Sequence, residues 1–232
     1  MKHFIKLAVL FSIIFLICVP KSTYAIGFGL YFSPFNAGNS IVDWDNVGTD
    51  TNNWNTKYWG YGFIFDTRVA RRGTFNYRLN VGFEIVEFKE KRNETNPKDS
   101  YFRFKIDNTF GFDIIQSSLL RLWFGPQIRL ANERFPVVKY VEWSEYDYDE
   151  YIDDDDGSAF GIGIAPVLGI NINLDNKNSL SFDFGYRLNR YIGRHYTGSA
   201  ASYTLRHEQA TITEKGVFFN FSYIFRIRDV FK

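Results

Sequence analysis

The feature that most constrains this chain is a two-residue alternation of large apolar side chains with polar or small ones. In residues 75–85, Phe, Tyr, Leu, Val and Ile occupy the odd positions, whereas Asn76, Arg78, Asn80 and Glu84 occupy even ones. A period of two is that of a β-strand with one apolar face. The pattern predicts strands at residues 26–33, 58–69, 75–85, 102–114, 120–131, 160–172, 180–190 and 217–227.

The length of these runs favours a membrane barrel. Strands of globular proteins usually have about 5–6 residues, whereas a tilted strand that crosses a bilayer needs about 9–11. Strands can cross lipid only in a closed barrel, because an open edge would leave backbone groups without partners. We therefore predict an all-β fold, an eight-stranded antiparallel up-and-down transmembrane β-barrel in which the first strand pairs with the last.

The predicted connections differ in length at the two ends of the barrel. Short turns are predicted at residues 70–73, 116–118 and 175–178, where turn-forming residues cluster. The long connections cover residues 37–57, 86–101, 132–159 and 191–216. Short turns at one end and long loops at the other are typical of an outer-membrane barrel. This layout predicts periplasmic termini and extracellular long loops.

The first 25 residues have the pattern of a cleaved secretory signal peptide. Lys2 and Lys6 precede the apolar run Leu7–Val19, and small residues lead to a predicted cleavage after Ala25. Cys18 lies within the apolar run and is either a filler residue, which we favour, or a lipoprotein acylation site. Residues 26–232 are then predicted to form a single barrel domain.

The apolar faces carry too many large rings to fit inside a barrel of eight strands, so we place them against lipid. The polar faces, which are rich in glycine and charge, should then line the interior. Charges buried there must pair or hold water. They form either a salt-bridged plug, which we favour, or the selectivity lining of a pore. The predicted interior charges are Asp66, Arg68, Arg78, Glu84, Arg103, Lys105, Asp107, Asp113, Arg121, Arg129, Asp183, Arg187 and Arg226.

The signal peptide, strand number, loop asymmetry and last strand together resemble the small eight-stranded outer-membrane barrels of the OmpA/OmpX/OmpW-like group. The segment Gly216–Ile227 looks like the C-terminal segment that the barrel-assembly machinery reads. The resemblance implies integral location in a bacterial outer membrane, with membrane lipid and the assembly machinery as partners. It assigns no subfamily.

An acidic, tyrosine-rich stretch lies in the third long connection. It includes Asp153, Asp154, Asp155 and Asp156, which are weak candidates for a Ca²⁺ site because Ca²⁺ prefers clustered carboxylate oxygens. The spacing does not fit an EF-hand, so a solvated surface loop is the preferred interpretation. Interleaved tyrosines suit a contact with an extracellular protein. We expect no cofactor, and the net charge of +1 argues against nucleic acid as a partner.

The fourth long connection contains His195 and His207, near Ser199, Ser202 and Glu208. Some outer-membrane barrels modify lipids with Ser and His, but a triad is defined by geometry and not by proximity in sequence. We predict that the protein is not an enzyme and assign no catalytic residue.

Four tryptophans, Trp44, Trp54, Trp59 and Trp143, lie in or near the long connections. We assign them to the aromatic girdle at the membrane surface, with the mouth of a hydrophobic-ligand channel as the alternative. The predicted function is a structural or surface-interaction role with a plugged interior. A narrow channel for small or hydrophobic solutes is the second hypothesis, and a lipid-modifying enzyme is the third.

Overall fold

The computed structural model describes residues 27–44, 52–67, 75–90, 99–135, 157–175, 177–198 and 205–226. Eight strands pair antiparallel with their sequence neighbours, and β1 pairs with β8 to close the barrel. The predicted fold class is confirmed. The predicted signal peptide lies outside the described residues. The strands are β1 (Gly27–Trp44), β2 (Asn52–Asp66), β3 (Phe75–Glu90), β4 (Asp99–Gln116), β5 (Leu120–Phe135), β6 (Gly157–Asn173), β7 (Asn178–Gly198) and β8 (Leu205–Arg226).

The strands are longer than the sequence pattern predicted. β1 extends to Trp44, β7 extends to Gly198, and β8 begins at Leu205. Much of the segments 37–57 and 191–216, predicted as long loops, is therefore strand. The apolar alternation stops earlier than the strands do, because both faces of these extensions carry polar residues. The sheet therefore continues beyond the apolar band at the end opposite Gly27 and Arg226, which we call the distal end.

The two faces of the sheet have opposite chemistry, as the alternation predicted. Phe63, Phe102 and Ile164 on the outer face are 56%, 66% and 59% exposed, whereas Asp66 and Arg103 on the inner face are 0% exposed. A soluble barrel would bury the first set and solvate the second. Hydrocarbon, which cannot solvate a charge, is the environment that favours the observed arrangement.

Glycines on the inner face make room for large interior rings. A Cβ atom at Gly169 would lie 2.0 Å from Cζ2 of Trp123, and one at Gly161 would lie 2.2 Å from Cδ1 of Tyr191. No side chain fits at such distances, so these two positions require glycine. At these two positions the interior is thus filled by a ring from the neighbouring strand.

Three prolines explain local breaks in the ladder. A bulge interrupts β1 between Ser33 and Asn36, the interval that contains Pro34. Pro126 of β5 faces Pro166 of β6, and pairing is interrupted beside them in the β4–β5 and β6–β7 seams. Proline has no N–H to donate, so the backbone hydrogen bond that another residue would give to the neighbouring strand is missing at each of these positions.

The two described turns at the opposite, terminal end are closed by side chains. The Ser117 hydroxyl accepts a 2.9 Å hydrogen bond from the Leu120 N–H. Asp175 Oδ1 accepts from the N–H groups of Lys177 and Asn178 at 2.5 and 2.7 Å. Both turns lie where the sequence predicted short connections. Within the described ranges, no helix is long and apolar enough to cross a membrane.

Candidate functional site: the barrel interior

The structure places most of the predicted interior charges deep in the barrel. Asp113 is only partly buried, Arg226 lies at the terminal rim, and Arg68 lies outside the described residues. Arg226 reaches the rim because it is the last residue of β8, and its Nη2 donates to the Asn178 carbonyl at 3.0 Å. The predicted charges that are at most 1% exposed are Asp66, Arg78, Glu84, Arg103, Lys105, Asp107, Arg121, Arg129, Asp183 and Arg187.

Glu84 of β3 is the centre of the largest group. Its two oxygens accept from Nη1 and Nη2 of Arg129 at 2.9 and 3.0 Å. Lys105 Nζ lies 2.7 Å from Oε1, and Arg103 Nη1 lies 3.3 Å from Oε2. One carboxylate from β3 therefore joins cations from β4 and β5, and the three strands are tied together inside the barrel.

Asp107 of β4 binds the same arginine from the other side. Arg129 donates from Nε to Oδ1 at 2.6 Å and from Nη2 to Oδ2 at 3.0 Å, a two-point pairing that fixes the guanidinium plane. Arg187 Nη2 lies 3.9 Å from Oδ2 of Asp107 and donates to Gln127 Oε1 at 2.9 Å. The group thereby reaches β7 across the lumen.

Two interior carboxylates were missed by the sequence analysis. Arg103 donates from Nε to Glu133 Oε2 at 2.6 Å and from Nη2 to Glu214 Oε2 at 2.6 Å. Glu214 also accepts from Asn189 Nδ2 at 2.7 Å. Both glutamates lie beyond the predicted ends of their strands, at residues 131 and 217, although they continue the inward parity of those strands.

We call these residues the central network. It contains four cations and four carboxylates, so its formal charge is zero with every group ionised. Ion pairs that share partners in this way offset the cost of removing charge from water only when the geometry and the remaining hydrogen bonds are good. The members are Glu84, Arg103, Lys105, Asp107, Arg129, Glu133, Arg187 and Glu214.

A second group, the terminal cluster, surrounds Arg78 nearer the terminal end. The guanidinium donates to Asp66 Oδ2 from Nε and Nη2 at 2.9 and 2.6 Å, and to Asp183 Oδ1 from Nη1 at 2.5 Å. Ser181 Oγ and Asn171 Oδ1 each accept at 2.9 Å. All five N–H donors of the arginine therefore have acceptors. The Arg78 guanidinium also lies 4.7 Å from the centre of the Trp123 ring.

Aromatic side chains fill the interior at the distal side of the central network. Arg103 lies against the rings of Tyr58 and Tyr191, at 5.4 and 5.1 Å from their centres. Trp54 and Phe88 pack edge to face at 6.3 Å and are 7% and 0% exposed. Assignment of Trp54 to an outer girdle was therefore wrong, because β2 begins at Asn52 and turns this position inward.

The other tryptophans divide between the described and undescribed parts of the chain. Trp59 is 48% exposed on the outer face, where a girdle residue would be. Trp44 ends β1, and Trp143 lies outside the described residues. For Trp44 and Trp143, assignment to the aromatic girdle stays a prediction.

Most of the candidate metal-binding and catalytic residues in the long connections lie outside the described residues. Asp153–Asp156, Ser199 and Ser202 are outside the described residues. Within the described ranges, no group of three His, Cys, Asp or Glu side chains is placed to hold a metal ion. The register pairs His195 with Glu208, and Tyr196 with His207. Because paired positions share a face and successive positions alternate, positions 195 and 207 lie on opposite faces of the β7–β8 ribbon.

The architecture is that of the small eight-stranded outer-membrane β-barrels. The chain is similar to the outer membrane protein OprG from Pseudomonas aeruginosa, with 10% identity, a TM-score of 0.53 and coverage of 85% of this chain and 93% of OprG. It also aligns with Neisserial surface protein A, with 14% identity and a TM-score of 0.34, over 82% of this chain and 95% of that one. No family model and no curated protein matches. The first likeness shows the fold of an integral outer-membrane barrel and leaves its activity open.

Proposed function

We propose that this protein is a non-conducting anchor in a bacterial outer membrane that presents its distal strand extensions and loops for interactions at the cell surface. In this arrangement the termini face the periplasm. The observation that carries the proposal is the charge-balanced central network, in which Glu84 and Asp107 bind cations from neighbouring strands across the lumen.

The layers on either side of the network support a closed lumen. Trp54, Tyr58 and Phe88 fill the distal side, and each is at most 7% exposed. Trp123 and Phe218 belong to an apolar cluster on the terminal side. An ion that moved along the axis would therefore have to pass apolar layers as well as displace paired side chains. An eight-stranded barrel is just wide enough to be filled by its own side chains, which is consistent with this reading.

Planar-bilayer conductance tests the closed lumen. The wild type should give no reproducible unitary currents. Replacement of two plug residues, Arg103→Ala with Arg129→Ala, should give them if the barrel still folds, because two side chains that cross the lumen are removed. The matched control, Arg134→Ala with Arg190→Ala, removes the same charge from outward, exposed positions and should stay silent. Reproducible unitary currents from the wild type would overturn the proposal.

A narrow channel is the second candidate, and one observation favours it. Among the described residues, Arg187 Nε and Nη1 and Glu133 Oε1 are buried without hydrogen-bond partners. Buried polar atoms of this kind usually bind water. Ordered water beside Arg187 would begin a hydrated path. The conductance of the wild type decides between this candidate and the anchor.

Surface accessibility tests the proposed orientation. The predicted mature chain has no cysteine, so a single introduced one is a clean reporter. A membrane-impermeant maleimide should label Asp147→Cys, in the acidic stretch, in intact cells. It should label Asp175→Cys, in a turn at the terminal end, only after the outer membrane is opened. The reverse labelling pattern would mean that the barrel is inserted with the opposite orientation.

We further propose that the chain has no lipid-modifying activity. Placement of positions 195 and 207 on opposite faces of one ribbon argues against a joint catalytic role for the two histidines. Expression of the wild type and of His195→Ala with His207→Ala in one host should leave the same lipid A acylation pattern. A change that requires the histidines would establish an enzyme instead.

A further inference from the structure

A concave groove of about 610 Å³ opens on the outer wall of the barrel, beside the distal edge of the apolar band. It is lined by residues of β7, β8, β1, β2 and β3. The side chains that matter for its chemistry are Lys57, Lys89 and Lys215, with Asn39, Asn55 and Glu87. None of the three lysines belongs to the interior groups described above.

The strand register brings the polar residues together. Lys215 pairs with Asn39, Asn39 with Asn55, and Asn55 with Lys89, so one cross-strand row has a lysine at each end and two carboxamides between. Neighbouring strands lie about 4.8 Å apart, so the row spans roughly 14 Å. Lys57 lies on the adjacent row, between Ala37 and Glu87.

The concavity has a local cause. The bulge in β1 ends at Asn36, and a bulge bends a strand and increases its twist. Beyond it, Ala37 contributes only a methyl group to a row of long side chains. Gly216 makes the close approach of β8 possible, because a Cβ atom there would lie 2.3 Å from the Ala37 carbonyl oxygen. The groove floor is therefore backbone and small side chain, with lysines around it.

The position of the groove relative to the apolar band identifies its environment. On β2 the outward residue Trp59 is followed toward the distal end by Lys57, and on β8 Val217 is followed by Lys215. Tyr186 and Val217, which are 46% and 37% exposed, form the side of the groove that meets the band. A ligand in the groove would thus have its polar part beside the lysines and an apolar part against the barrel wall.

We propose that this groove binds the phosphate-bearing headgroup of an outer-leaflet lipid. Three lysines against one glutamate give the groove a net charge of +2. Ammonium groups bind phosphate as point charges, and the carboxamides of Asn39 and Asn55 supply further donors. The groove opens sideways onto the hydrocarbon band, so the ligand is a lipid rather than free phosphate. The inference rests on the proposed orientation, which places this rim in the outer leaflet.

Binding of lipid A to the detergent-purified mature barrel tests the proposal, with native mass spectrometry as the readout and EDTA present to remove bridging cations. Lys57→Gln, Lys89→Gln and Lys215→Gln together should weaken binding of bisphosphorylated lipid A by on the order of tenfold or more. The matched control, Arg71→Gln, Arg134→Gln and Lys177→Gln, removes equal charge from residues that do not line the groove and should bind within about twofold of the wild type. Replacement of the three lysines by arginine should preserve binding.

The remaining arms separate the possible ligands. Dephosphorylated lipid A should bind the wild type no better than it binds the glutamine variant. Inorganic phosphate should not compete at concentrations comparable to the lipid. Equal losses in both triple variants, or equal competition by inorganic phosphate, would overturn the proposal. Heat-modified mobility on gels shows that each variant is folded, and conductance of the same samples tests the closed lumen independently.

Discussion

The two charged groups inside the barrel stabilise their buried charges in different ways. The central network matches four cations to four carboxylates, and Glu84 alone contacts Arg103, Lys105 and Arg129. In the terminal cluster, the single guanidinium of Arg78 bonds two carboxylates, Asp66 and Asp183. The two carboxylates also accept hydrogen bonds from neutral donors. Asn76 Nδ2 donates to Asp66 at 2.9 Å, and Ser181 Oγ donates to Asp183 at 3.2 Å.

The difference concerns redundancy. Removal of one member of the central network leaves the others with alternative partners, whereas removal of Arg78 takes two hydrogen bonds from Asp66 and its bound cation from Asp183. A buried charge that loses its partner is far more costly than a pair that is absent altogether. The terminal cluster should therefore be the more fragile of the two.

The largest effect is expected for Arg78→Met. We expect a loss of about 3–5 kcal/mol in the free energy of unfolding, measured by urea titration in lipid vesicles, because Asp66 and Asp183 both lose the buried guanidinium that they share. Addition of Asp66→Asn and Asp183→Asn should restore most of that loss. If the triple variant is as unstable as Arg78→Met alone, the loss comes from the contact with Trp123 rather than from charge.

Glu84→Gln should have a smaller effect, despite the larger number of contacts that Glu84 makes. Arg129 keeps Asp107, and Arg103 keeps Glu133 and Glu214, so we expect a loss of about 1–3 kcal/mol in the same assay. Lys105→Met added to Glu84→Gln restores neutrality and should recover part of the loss. A loss for Glu84→Gln equal to that for Arg78→Met would contradict the redundancy argument.

The sequence predicted these charges more successfully than it predicted their partners. The odd or even position of Glu84 and Arg129 within the local alternation is enough to predict that both side chains point inward. Parity would also have found Glu133 and Glu214 had the strands been extended past their last large apolar residues. The pairing of Arg103 with Glu214 joins residues 111 apart in sequence, and no local pattern encodes that register.

The same limit explains the misplaced Trp54 and the shortened strands. Alternation of apolar and polar residues reports a strand only while one face meets lipid. Past Lys57 on β2 and Lys215 on β8, the outward positions become polar, so the signal ends although the ladder continues. The lysine groove lies where the outward residues change from apolar to polar. The apolar alternation that predicts strands therefore did not indicate it.

A third pair, Arg121 with Asp113, lies in the terminal half of the barrel and contains a partly exposed carboxylate. Arg121 Nε donates to Asp113 Oδ1 at 2.6 Å, and the Asp113 side chain is 8% exposed. Water can reach this carboxylate more easily than it reaches Asp66, so Arg121→Met, which leaves Asp113 without its arginine, should cost only about 1 kcal/mol in the urea assay. A loss close to that of Arg78→Met would show that the partial exposure of Asp113 does not lower the cost of leaving it without its arginine.

The smallest effect is expected for Asp175, a fully exposed carboxylate in the β6–β7 turn. Hydrogen bonds from the Asn178 side chain and the Lys177 N–H lower the pKa of Asp175. Its ionised form is therefore favoured by folding, so its contribution is present above the unfolded pKa and is lost as pH falls through the lower, folded pKa. The urea midpoint of Asp175→Asn should lie slightly below that of the wild type at pH 7, and the two midpoints should converge in acid. A gap that persists unchanged in acid would mean that the turn depends on the shape of this side chain and not on its charge.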